Sequence, residues 1–104
     1  MALEYKTSIK DTGKYYDLVV VMPAYNEAAH IADNLLEAAR IIQSFQDNFS
    51  IIAVNDGSTD STEEKIIEAA SKSPYIEYIS YSKNKGKGGA IREGVKLSNG
   101  RYIA

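Results

Sequence analysis

A chain of 104 residues with no cysteine, 44% hydrophobic and 25% charged residues and a formal net charge of −2 has room for one domain at most and the composition of a folded protein. It excludes a disulfide framework, a thiolate metal site and a thiolate nucleophile, which agrees with a cytoplasmic location. No apolar run approaches the roughly 20 residues needed to span a bilayer, and the N-terminus lacks the apolar core of a signal peptide.

Residues 1–17 mix charges with Tyr5, Tyr15 and Tyr16 without a sustained period, and are expected to be a leader, partly disordered or packed on the domain edge. The domain proper is expected over residues 18–104. Leu18, Val19, Val20, Val21 and Met22 form a first strand, and Pro23, which removes a backbone donor and disfavours helix before it, predicts its end at Met22. After a loop over residues 23–27, Ile31, Leu35, Ala38, Ile42 and Phe45 step by four and three, the stripe of a helix lying on a sheet. Residues 49–55 are a nearly continuous β-branched apolar run, as in a strand covered on both faces.

Asp60 and Ser61 each precede a glutamate by three positions, Glu63 and Glu64, a capping-box pattern that opens a second helix over about residues 61–72 with Ile66, Ile67, Ala69 and Ala70 inward. Residues 75–81 read as a third strand. Residues 83–89 form a basic glycine-rich loop, and residues 90–98 a third helix with Ile91, Val95 and Leu97 inward. Gly100 then suits a left-handed helix stop, and residues 101–104 the opening of a fourth strand.

Strands alternating with helices predict an α/β fold, an open and mostly parallel sheet with helices on both faces. Right-handed crossovers would bring the loops at 23–27, 56–59 and 83–89 to one edge, where such sheets bind ligands. There the charge is segregated. Residues 18–82 carry only Arg40, Lys65 and Lys72 as bases, whereas Lys83, Lys85, Lys87, Arg92, Lys96 and Arg101 then face Glu93 alone. A solvated basic face is one explanation; a field that holds a phosphate is the other.

Two common phosphate motifs are absent. No G-x-x-x-x-G-K-[ST] string exists, and Gly86-x-Gly88 is followed by Ile91 where a dinucleotide fingerprint needs its third glycine. Glycine-permitted approach of backbone N–H groups, a helix N-terminus and lysines still suit a diphosphate. Tyr25 can stack on a base, Asp56 can accept from a base N–H, and Glu27 from a base or ribose donor. The plainer alternative is that Asp56 and Asp60 only shape the turn and cap the helix.

Three ordered blocks together resemble the N-terminal half of the family 2 glycosyltransferases, which have a GT-A, Rossmann-like fold. They are Val19 through Met22 with Pro23, Ala24, Tyr25, Asn26 and Glu27; Val54, Asn55, Asp56, Gly57, Ser58, Thr59 and Asp60; and Asn84, Lys85, Gly86, Lys87, Gly88, Gly89, Ala90, Ile91, Arg92, Glu93 and Gly94. The third block looks most like the branch making dolichyl- or polyprenyl-phosphate mannose and glucose. The resemblance implies that Pro23, Ala24, Tyr25 and Glu27 line a nucleoside pocket, that Asp56 bonds the base, and that Gly86, Lys87 and Gly88 with Arg92 border the nucleotide of a UDP- or GDP-sugar. Many relatives have paired aspartates in the second block; here Asn55 takes the first place.

The family's metal-binding Asp-x-Asp, which holds Mg2+ or Mn2+, follows the strand that residues 101–104 would begin. The chain is therefore expected to bind no metal by itself, to contain no catalytic residue, and to be the donor-recognition portion of a hexosyltransferase. The alternative is a non-catalytic module that dimerises through an exposed sheet edge. Nucleic acid is not an expected partner; a membrane surface is, through a lipid acceptor.

Overall fold

The structure is a computed structural model that describes residues 4–10, 13–98 and 100. Four strands, β1 (Lys6–Thr7), β2 (Leu18–Ala24), β3 (Phe49–Asp56) and β4 (Ile76–Tyr81), form one sheet in the order β1-β4-β3-β2. β2, β3 and β4 are parallel, and β1 runs antiparallel to β4, with Lys6 opposite Ser80 and Thr7 opposite Ile79. The helices are α1 (Ile31–Gln43), α2 (Thr62–Lys72) and α3 (Gly86–Leu97).

Strand alternation sorts the side chains into two cores. Ala24, Phe49, Ile51, Ala53 and Ile76 face α1 and α2, meeting Ile31, Leu35, Ala39, Ile66 and Ala69. Val19, Val21, Ile52, Val54, Ile79 and Tyr81 face the other way, where α3 contributes Ala90. The mostly parallel sheet with helices on both faces is thus present, and all eight residues of β3 are buried, as its unbroken apolar run requires.

Several boundaries differ from expectation. β2 continues through Pro23 and Ala24, which pair with Val54 and Asn55. Among the described strands β2 has a ladder neighbour on one side only, so the missing proline donor leaves no ladder bond unmade. α3 begins three residues before the glycine-rich loop was expected to end: Lys85 is its N-cap, and Gly86 at φ 79° turns the chain into it. Its inward face is Ala90 and Gly94, with Leu97 packed against the same core as expected, whereas Ile91 and Val95 are 37% and 42% exposed. A Cβ on Gly94 would stand 2.5 Å from Val21 Cγ1, so the small residues mark the contact face and hydrophobicity misidentified it. Phe45, beyond the end of α1, is exposed, and Ile67 lies outward on α2.

The N-terminal segment, expected as a leader, supplies β1. Thr7 Oγ1 donates to the Tyr78 carbonyl at 2.7 Å, and Tyr78 N–H donates to Ser8 Oγ at 2.9 Å, so the β4 edge is covered. Gly100 forms a parallel bridge with Tyr16 beside the β2 edge. The expected strand over residues 101–104 lies outside the described residues.

Candidate functional site

The carboxyl ends of β2, β3 and β4 open on a cavity of ≈ 460 Å³ lined by Pro23, Ala24, Tyr25, Glu27, Asp56, Asn84, Gly86 and Lys87. Seven of these were singled out from the sequence and Asn84 was not. Gly88 and Arg92 were singled out but do not line it; both are exposed on α3. α3 begins at Gly86, so its first turn carries Gly88 round to solvent and the next carries Arg92 away.

The first loop is held by the second. Asn26, at φ 52°, donates its N–H to Ser58 Oγ at 2.9 Å and accepts the Thr59 N–H on Oδ1 at 2.8 Å. Glu27 N–H donates to Thr62 Oγ1 at 2.9 Å, and Ala28 N–H to Asp60 Oδ2 at 3.3 Å. Asp60 Oδ1 in turn accepts the N–H of Thr62 at 2.9 Å and its hydroxyl. These bonds hold the Asp60 carboxyl below the usual carboxylate range, the Thr62 hydroxyl contributing most. Asp60 therefore caps α2 and ties down the first loop, the structural alternative weighed from the sequence. The capping box does not form: Ser61 makes no side-chain cap, and Glu63 turns instead to Ser80 Oγ at 2.6 Å and Lys6 Nζ at 3.0 Å.

Asp56 has a different environment. It is 3% exposed, and its Oδ1 accepts the Tyr81 hydroxyl at 2.7 Å and the Lys85 N–H at 2.8 Å. Its carbonyl accepts Asn84 Nδ2 at 2.9 Å. Gly57 makes that docking possible: a Cβ there would lie 2.5 Å from Asn84 N, and its φ is 69°. Asp56 thus anchors the third loop while forming part of the cavity wall. The signal for Asn84 was in the sequence, since an asparagine before a helix start is a turn and cap residue.

Beneath the site, Asn55 Nδ2 donates to Ser80 Oγ at 2.9 Å, continuing the chain through Glu63 to Lys6. Among the described residues Asn55 Oδ1 is buried without a partner. Ser80 gives its one hydrogen to Glu63 and so has none for a second carboxylate, which accounts for an asparagine rather than an aspartate before Asp56.

Among the described residues no three His, Asp or Glu side chains group together as metal ligands, and Asp56 Oδ1 already carries two donors. A larger cavity of ≈ 650 Å³ lies at the other end of the strands, lined by Tyr5, Ile9, Lys14, Tyr16, Val19 and Glu77 among others, none of them a residue singled out for the site.

A mostly parallel sheet whose loops gather at the carboxyl ends of β2, β3 and β4 defines an open α/β domain. More narrowly, the chain belongs to glycosyl transferase family 2, whose family model matches residues 19–104. Dolichyl-phosphate beta-glucosyltransferases are among its relatives: that of Saccharomyces cerevisiae is 37% identical over 91 residues, 82% of this chain and 27% of the relative. The Homo sapiens enzyme is 36% identical over 93 residues, 83% of this chain and 29% of the relative. The chain thus spans little more than a quarter of the length of either of these relatives. A mannosyltransferase from Pyrobaculum calidifontis, solved in complex with GDP-Man and Mn2+, superposes with a TM-score of 0.58 at 21% identity, covering 89% of this chain and 27% of that one. The likeness establishes the GT-A fold. No described helix is long and apolar enough to cross a membrane.

Proposed function

We propose that this chain binds the nucleoside diphosphate part of a UDP- or GDP-hexose, as the donor-recognition portion of a family 2 glycosyltransferase that transfers the hexose to a polyprenyl phosphate. The observation that carries the reading is the convergence of Tyr25 and Glu27 from the loop after β2, Asp56 from the end of β3 and Lys87 from the first turn of α3 on one cavity at the carboxyl edge of the parallel strands.

In this reading the half-exposed Tyr25 ring stacks on the base, Asp56 accepts a base N–H, and Glu27 accepts from a base or ribose donor. The first turn of α3 presents backbone N–H groups and Lys87 to the diphosphate. These groups bind and orient, and no transfer step is assigned to them. The names of the relatives support polyprenyl phosphate as the acceptor.

The test is calorimetric titration of the chain with UDP and with GDP, each with and without Mn2+. Saturable binding of one or both without metal is the expected result. No heat at millimolar nucleotide overturns the reading.

A further inference from the structure

Tyr81 and the backbone of Lys85 place both of their hydrogens on one oxygen of the buried Asp56 carboxylate, at 2.7 Å and 2.8 Å. Among the described residues, Oδ2 of the same carboxylate receives no hydrogen bond, and Asp56 lines the loop cavity. Tyr81 and Asp56 are direct register partners on adjacent parallel strands, on the face that packs against α3. A carboxylate with two donors fixed on one oxygen is held in its plane, since a small rotation loses both bonds and a half-turn only exchanges two equivalent oxygens.

We propose that Tyr81 is a positioning residue that locks Asp56 so that a lone acceptor meets the ligand, which makes the site select bases carrying a ring N–H, uracil or guanine, against cytosine and adenine. The inference rests on the nucleotide reading above. An ionised carboxylate accepts and never donates. Uracil N3–H and guanine N1–H satisfy it, whereas cytosine N3 and adenine N1 at the same place on the base edge present lone pairs to it, and their exocyclic N–H donors lie one ring position away. Tyr81 is itself well held: it is 4% exposed, and Lys85 Nζ lies 5.9 Å from its ring while pairing with Glu93 at 3.0 Å. Burial first, and then the bond to Asp56, raise the phenol above its usual range, so it stays protonated and a donor at neutral pH.

The same lock makes a reversal predictable. In Asp56→Asn the two donors can donate only to the amide oxygen, which turns the NH2 group toward the ligand and replaces an acceptor by a donor. Cytosine N3 and adenine N1 then become the matching atoms.

The experiment is a titration of the whole chain with UDP, GDP, CDP and ADP, in the original sequence and in Tyr81→Phe, Asp56→Asn and the double variant. Expected are UDP or GDP at least about tenfold tighter than CDP and ADP, a preference reversed in Asp56→Asn, and both the preference and its reversal reduced about threefold or more by Tyr81→Phe. Because these are ratios, a loss of folded protein in any variant leaves them unmoved. Equal affinity for all four nucleotides, or a Tyr81→Phe chain that weakens all four in proportion, overturns the inference and leaves nucleotide binding standing. Absence of binding by every nucleotide overturns the underlying reading and this inference with it.

Discussion

Oδ1 of Asn26 accepts the backbone N–H of Thr59 at 2.8 Å, across a gap of 33 residues, and thereby fastens the loop that carries Tyr25 and Glu27 to the loop that precedes α2. Asn26 also occupies the left-handed region at φ 52°, which asparagine tolerates better than alanine does.

Asn26→Ala therefore loses the tie and gains backbone strain, costing about 1–3 kcal/mol. Asn26→Gly loses the tie without the strain and costs less. Thermal unfolding of the two variants checks the order, with about 4–8 °C expected per kcal/mol in a domain of this size. A glycine variant less stable than the alanine one would show that the tie contributes little.

The buried chain from Asn55 through Ser80 and Glu63 to Lys6 is unequal along its length. Lys6 is 72% exposed, so Lys6→Ala costs little beside a change at Ser80. Ser80→Ala strands Asn55 Nδ2, whose neighbouring Oδ1 is already without a partner, and costs about 1–3 kcal/mol. Denaturant unfolding of both single variants measures the difference, and equal losses would contradict the scheme.

Two glutamates give stability opposite dependences on acid. Bonds from Ser80 first, then Lys6, depress the Glu63 carboxyl below its ordinary 4.5, so its contribution is present above that pH and is lost as pH falls through the depressed value. Burial raises Glu77 above 4.5, against the opposing pull of Lys14 and Tyr16; its unfavourable charging in the fold is relieved as pH falls toward 4.5. Glu63→Gln should flatten the acid limb of a stability profile, and Glu77→Gln should steepen it. The same slope in both variants would refute the assignment.

Gly94→Ala sets helix propensity against packing. Alanine gains about 1 kcal/mol in a helix interior, but its Cβ would meet Val21 Cγ1 at 2.5 Å and Val54 Cγ2 at 3.3 Å, an overpacking worth about 1–3 kcal/mol. Net destabilisation is expected by thermal melting. Ile91→Ser, on the exposed face of the same helix, should shift stability by no more than about 0.5 kcal/mol.

Local order determined what could be read from the chain directly. The unbroken β-branched run ending at Asp56 implied a strand buried on both faces, because neither face could be left to water, and the stripe from Ile31 to Ile42 implied a helix lying on a sheet. Parallel connection of such units then gathers residues 23–27 and Asp56 at one edge, so most of the candidate site was legible without coordinates. Tertiary structure decided what each side chain does there. Asp56 and Asp60 look alike in sequence, yet Asp60 is consumed by Thr62 and the first loop, while Asp56 is held by Tyr81 and Lys85 at the cavity wall. The inward face of α3 was likewise hidden, because close approach of a helix to a sheet selects small residues, Ala90 and Gly94, and hydrophobic periodicity counts only large ones. Hydrogen-bond partners far apart in the chain, and contacts set by the absence of a side chain, leave no periodic trace in a sequence.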